Sequence, residues 1–168
     1  MRLLFLLLFP FFLSAHPHLF IDVKIQNSKD ILKVDWIFDE MNSEILILDY
    51  DMDFDRSFSQ TEKDKFFEEV ISDLIQEYNF YTFLKVDEKE VEELLFLKDF
   101  DVSIVENNFL ISFFFDLSSF KNRDKKLIFY DESFMSAFQV KKSDLSGFQN
   151  LTISEHDEFY GYLIHWRN

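Results

Sequence analysis

The chain is 168 residues long, with 17 basic and 32 acidic side chains, a formal net charge of −15, no cysteine, two glycines and two prolines. That length suits one domain with a genuine core, and 48% hydrophobic residues exclude a disordered acidic tail. The charge excludes a nucleic-acid binder, which needs a basic stripe, and argues equally against docking on an anionic membrane surface, so cationic partners such as metal ions remain.

Met1-Arg2, the apolar run Leu3 to Leu13 and the small pair Ser14-Ala15 read as a signal peptide over residues 1–15. A membrane-spanning helix needs roughly twenty apolar residues, and Pro10 interrupts this shorter run. Export to the periplasm is therefore expected, with residues 16–168 as one exported domain. No cysteine follows the cleavage site, so a lipoprotein is excluded. Without disulfides the fold relies on its core or on a bound ion.

Cleavage after Ala15 exposes His16-Pro17-His18. A free amine and two imidazoles within three residues suit Ni, Co, Cu or Zn better than Ca or Mg. Pro17 has no amide hydrogen, which blocks the copper/nickel mode built on deprotonated backbone amides. The amine, His16 and His18 are left as ligands. The competing reading is a pair of solvated histidines on a frayed terminus.

Leu19, Ile21, Val23 and Ile25 share one face of a strand, and Leu32, Val34, Trp36 and Phe38 share one face of the next. A turn over Asn27-Ser28-Lys29-Asp30 would set Gln26 opposite Ile31 and His18 opposite Asp39, making Asp39 a further ligand or a hydrogen-bond partner of one. The same register opposes Asp22 with Asp35 and Lys24 with Lys33.

Asp51, Asp53, Asp55, Ser57, Ser59 and Glu62 then occupy positions 1, 3, 5, 7, 9 and 12 of an EF-hand calcium loop. Phe58 takes the apolar position eight. Ser59 and Glu62 also form a capping box for the next helix, marked by Phe66, Phe67, Val70, Ile71, Leu74, Ile75 and Tyr78. Residues 42–50 supply a short entering helix. Arg56 stands where the loop usually has glycine, at a cost of about 1 kcal/mol or more for a bulky residue at positive φ. An alternative is an acidic helix–loop–helix whose ion site has decayed.

Beyond Tyr78 the pattern is mainly β, with strands expected at Phe80 to Val86, Phe109 to Phe115, Lys126 to Tyr130, Phe134 to Val140, Leu151 to Ser154 and Tyr160 to Trp166. Ser118 to Lys125 and Lys142 to Gln149 read as polar connectors, and Glu88 to Leu97 as a short helix or irregular edge. His156-Asp157-Glu158 reads as a solvated turn and His165 as a packing or surface residue. The expected fold is α+β, a mostly antiparallel, sandwich-like β domain with an EF-hand-like helix–loop–helix inserted at residues 42–78.

Five segments in order, His16-Pro17-His18-Leu19-Phe20-Ile21-Asp22, Trp36-Ile37-Phe38-Asp39-Glu40, Asp49-Tyr50-Asp51, Phe83-Leu84-Lys85-Val86-Asp87 and Phe129-Tyr130-Asp131, resemble a bacterial periplasmic family. It is catalogued as domain of unknown function 1007 and described as the periplasmic component of an uncharacterised ABC-type transport system. The resemblance spans nearly all of the mature chain and implies service to a membrane metal-ion transporter, for nickel, cobalt or zinc. It brings no catalytic residues. Arg56 in the acidic loop, and Phe83 where many members are expected to carry His, depart from the family pattern.

No cysteine nucleophile, Gly-x-Ser-x-Gly, HExxH or phosphate-cradling glycine loop is present, so no enzyme activity is expected. The expected function is an exported metal-handling accessory protein that binds a divalent transition metal through His16, His18 and Asp39. The alternative is an interaction or structural domain stabilised by Ca²⁺ in the 51–62 loop.

Overall fold

A computed structural model of the protein describes residues 18–91, 97–156 and 161–167. The expected signal peptide, His16 and Pro17 lie outside these residues, as do Asp157 and Glu158.

The first strand pair forms as the alternation predicts, but in a different register. β1 (Leu19–Ser28) and β2 (Ile31–Phe38) are joined by two residues, not four. Lys29 and Asp30 both take left-handed backbone, at φ 53° and 67°, the geometry of a hairpin turn whose twist matches the strands. Ser28 therefore faces Ile31, and Lys24 faces Asp35 instead of Lys33. The two-residue shift keeps the buried face and removes both like-charge oppositions. Asp22 now faces Ile37 and reaches Lys141 at 3.3 Å. Asp39 sits beside Phe20, its amide donating to the Phe20 carbonyl at 3.0 Å, so His18 is not its cross-strand partner.

The remaining strands complete two five-stranded sheets. β3 (Thr82–Val86), β4 (Lys89–Glu90), β5 (Leu97–Val105), β6 (Asn108–Asp116), β7 (Asp124–Phe129), β8 (Ser136–Ser146), β9 (Thr152–His156) and β10 (Gly161–Arg167) follow in chain order. One sheet runs β5-β6-β2-β1-β8 and the other β4-β3-β7-β10-β9. Every pairing is antiparallel except β1 with β8. The fold is thus α+β and mostly antiparallel.

Several boundaries move. β8 runs on through the connector expected from Lys142, because Leu145 and Ser146 pair again with Ile25 and Gln26 after a bulge. β7 begins at Asp124, inside the other expected connector. Phe80 belongs to a 3₁₀ turn before β3, and His156 ends β9 opposite Gly161 where a solvated turn was expected. β5 went unpredicted. Gly147, at φ 76°, closes β8 against β1: a Cβ there would lie 1.9 Å from the Asn27 carbonyl oxygen, so no other residue fits.

The buried faces of both sheets meet in one core. Trp36 on β2 is its hub, stacked on Phe80 at 4.5 Å between ring centroids and edge-on to Phe113 at 5.0 Å and to Phe129 of the other sheet at 5.8 Å. The helices cover one end of the first sheet. α1 (Glu40–Tyr50) is fixed by Ser43, whose buried hydroxyl donates to the Phe38 carbonyl and accepts from the Phe109 amide. After a loop come α2 (Gln60–Phe66), a π-helical turn (Phe67–Ile71) and α3 (Ser72–Tyr78). The π turn places Ile71, five residues on, with Phe66 in the core and leaves Phe67 exposed, so the predicted stripe is only partly buried.

Candidate metal centre

The acidic loop hangs between the C-terminus of α1 and the N-terminus of α2. Carboxylate oxygens of Asp51, Asp53 and Asp55 lie within 4.8 Å of one another, Asp51 buried and the other two exposed. Local hydrogen bonds hold them there. Asp51 accepts the Asp55 amide at 3.2 Å and the Arg56 amide at 2.8 Å, Asp53 accepts the Asp55 amide at 3.3 Å, and Asp55 accepts the Ser57 amide at 2.8 Å and its hydroxyl at 2.7 Å. The amides are turned inward by backbone at positive φ, 60° at both Phe54 and Arg56. Arg56 thus takes left-handed backbone at the position where the sequence pattern calls for glycine. Arg56→Gly should raise stability by about 1 kcal/mol by removing left-handed strain, measured by urea denaturation.

Glu62 closes the loop in another way. Its Oε1 accepts the Met52 amide at 2.6 Å, and its Oε2 accepts the Ser59 amide and hydroxyl at 2.7 Å each. Ser59 caps α2 in return, so the predicted capping box is present. Ser57 thus braces Asp55, and Ser59 holds Glu62, which ties the start of the loop to the start of α2.

The loop's charges act on one another. The Asp55 amide draws the Asp53 pKa down, but desolvation and the charges of Asp55, Glu62 and Asp51 together hold it above the ordinary carboxylate value. Hydrogen bonds from the Ser59 side chain and backbone hold Glu62 below its ordinary value, against the effect of burial. The two contribute oppositely to stability. The Glu62 contribution is present above the unfolded-state pKa and lost as pH falls through the folded value. The Asp53 contribution is present below the unfolded-state pKa and lost as pH rises through its raised folded value. Asp53→Asn should therefore raise the thermal midpoint at neutral pH without added cation, and the gain should vanish as the pH drops below the carboxylate range.

At the other candidate site, Asp39 is the N-cap of α1. Its Oδ1 accepts the Asn42 amide at 3.0 Å, and its Oδ2 accepts the Asn42 side chain at 2.7 Å and the Phe20 amide at 3.1 Å. Burial raises its pKa, but these bonds outweigh it and hold the carboxyl below the ordinary range. Asn42 also donates to the His18 carbonyl at 3.0 Å, while the His18 amide bonds the Met135 carbonyl at 2.9 Å. Exposed His18, by its backbone carbonyl, and half-buried Asp39 are thus brought to one corner through Asn42. His16, expected to complete the set, lies outside the described residues.

The family model described as protein of unknown function (DUF1007) matches residues 1–155. The chain belongs to this family. No curated protein and no solved structure matches it.

Asn42 of this DUF1007 member went unnoticed in the sequence, although its spacing of three from Asp39 is that of a capping pair. His165, expected as a packing or surface residue, is part-exposed, and its Nε2 lies 2.8 Å from Asp124 Oδ1, tying β10 to β7. Phe83, read as a departure from the family, stacks on Tyr130 at 3.9 Å between centroids. An apolar cavity of about 240 Å³ lies between the β1–β2 face and the helices, lined by Trp36, Phe38, Leu46, Phe66 and Val70, with Asn42 and Ser136 at polar points.

Proposed function

We propose that this protein is an exported accessory protein that holds a divalent cation in its 51–62 loop, Ca²⁺ by the all-oxygen donor set, in the service of a metal-ion transport system. The convergence of the Asp51, Asp53 and Asp55 oxygens within 4.8 Å carries this reading. Three carboxylates so close repel one another at neutral pH, and a hard cation turns that repulsion into binding energy. Ser57 would add its carbonyl and Ser59 a water-bridged contact. Glu62 would exchange its bonds to Met52 and Ser59 for the cation. Millimolar CaCl₂ should raise the thermal midpoint, by about 2.7 kcal/mol of stability at a hundred times Kd. Asp51→Ala combined with Glu62→Gln should abolish the rise. An unchanged wild-type midpoint would reject calcium binding.

The Asn42 side chain, which bonds both the His18 backbone carbonyl and the ionised Asp39 carboxylate, keeps these two residues close and motivates a second reading, in which the mature N-terminus captures Ni, Co, Cu or Zn and passes it to a membrane transporter. Neutral imidazole is the ligand, so protons compete with the metal and affinity should fall on acidification. Calorimetry on correctly processed protein, against the His16→Ala, His18→Ala variant, separates the two. Equal binding by both proteins leaves a calcium-stabilised interaction domain.

A further inference from the structure

We infer that the outer face of α1 is a docking surface for a basic amphipathic helix of another protein. The fold leaves an apolar stripe uncovered there. α1 buries Ser43 and Ile47 on its inner side, yet on the outer side Met41 is 65%, Ile45 52% and Leu48 67% exposed. These three recur at i, i+4 and i+7 and so form one line along the helix. Phe54, 70% exposed, extends the line into the acidic loop. Between α1 and the loop lies a surface depression of about 540 Å³, with Ile45, Leu48, Phe54 and Arg56 in its lining. Single exposed apolar side chains are ordinary on protein surfaces, but a contiguous row on a helix already apolar on its other side marks an interaction site.

Charge decides the occupant. Exposed Glu40, Glu44 and Asp49 flank the stripe on the helix, and exposed Asp53 and Asp55 flank it on the loop. Arg56 is the single basic residue between positions 40 and 62, and its guanidinium already donates to Asn107 at 3.2 Å. A second copy of this chain would set acidic rim against acidic rim. A helix with its own apolar i, i+4, i+7 row bordered by Lys or Arg satisfies both the stripe and its rim, and the flexible Met41 adapts to it. A cation in the loop would lower the rim charge of Asp53 and Asp55, leaving Glu40, Glu44 and Asp49, which lie outside the loop, to attract the basic helix.

A synthetic amphipathic helix of Leu and Lys serves as the probe, titrated calorimetrically into the mature protein. Wild type should bind it, and the Ile45→Ser, Leu48→Ser variant should bind about tenfold more weakly or worse. A scrambled peptide of the same composition, and a version with Glu replacing Lys, should bind wild type no better than the variant binds the probe. Both substitutions are at exposed positions, so the melting curve should be preserved. If the double variant melts early, Met41→Ser alone carries the same expectation. Equal affinity of wild type and variant, or of the amphipathic and scrambled peptides, would overturn the proposal. So would sedimentation of the protein as a dimer that the double substitution dissolves, because the occupant would then be a second copy.

Discussion

Asp30→Asn is expected to destabilise the protein by about 3–5 kcal/mol, the cost of leaving a buried charge without its partner. Asp30 sits in the left-handed turn between β1 and β2, and its Oδ1 lies 3.1 Å from Lys125 Nζ on β7. Both side chains are buried, so the pair joins the two sheets across the core edge. Lys125 has the Arg123 carbonyl at 3.2 Å and the Trp166 ring at 5.9 Å as further contacts, neither of which replaces a carboxylate. Asparagine tolerates the positive φ of residue 30, so the substitution removes the charge and little else. Urea denaturation measures the loss. Adding Lys125→Met should restore most of it, since methionine removes the buried ammonium that Asp30→Asn leaves without a partner. A loss below about 1 kcal/mol in the single variant would show that Lys125 finds solvent by another route.

Trp36→Ala is expected to cost about as much, 3–5 kcal/mol, through a cavity at the point where the sheets meet. The indole touches Phe80, Phe113, Phe129 and Phe138, side chains drawn from both sheets and from the turn that leads out of α3. Stability of a domain this size is about 5–15 kcal/mol in total, so either substitution takes a large share of it. Chemical denaturation gives the magnitude. The near-ultraviolet circular dichroism should lose the signal of packed rings while the far-ultraviolet spectrum keeps its β character. Trp36→Phe, which keeps a ring against Phe80, should cost distinctly less. Equal losses for the two variants would mean that the surrounding rings collapse onto the vacated space and that Trp36 is not the hub.

The chain's own pattern determined its periodic parts. Alternation at Leu19 to Ile25 and Leu32 to Phe38 fixed two strands and their inner faces, because a strand exposes every second side chain to the same side. The spacing of Asp51, Asp53 and Asp55 brought three carboxylates together, because the contacts that place them run within a single loop. Ser59 and Glu62 announced the start of α2 for the same reason.

What needed the tertiary structure were the turns and the long-range partners. With two glycines in the chain, Lys29-Asp30, Asp87-Glu88 and Glu106-Asn107 make two-residue hairpins at positive φ without the glycine that normally marks them, so the sequence does not show where the first turn falls or which β1–β2 register it sets. β5 escaped notice because a bulge between Lys98 and Asp101, with Asp99 at φ 50°, breaks the alternation that would have marked it. That Asp39 also caps α1 is decided by amides from Phe20 and Asn42, which lie on separate elements. Asp30 and Lys125 stand 95 positions apart, and nothing local marks either as buried. Periodicity reports which face a side chain takes. The partner waiting on that face is chosen by how the sheets close, and in this chain that closure pairs β1 with β8 in parallel and sets Lys125 against the first hairpin.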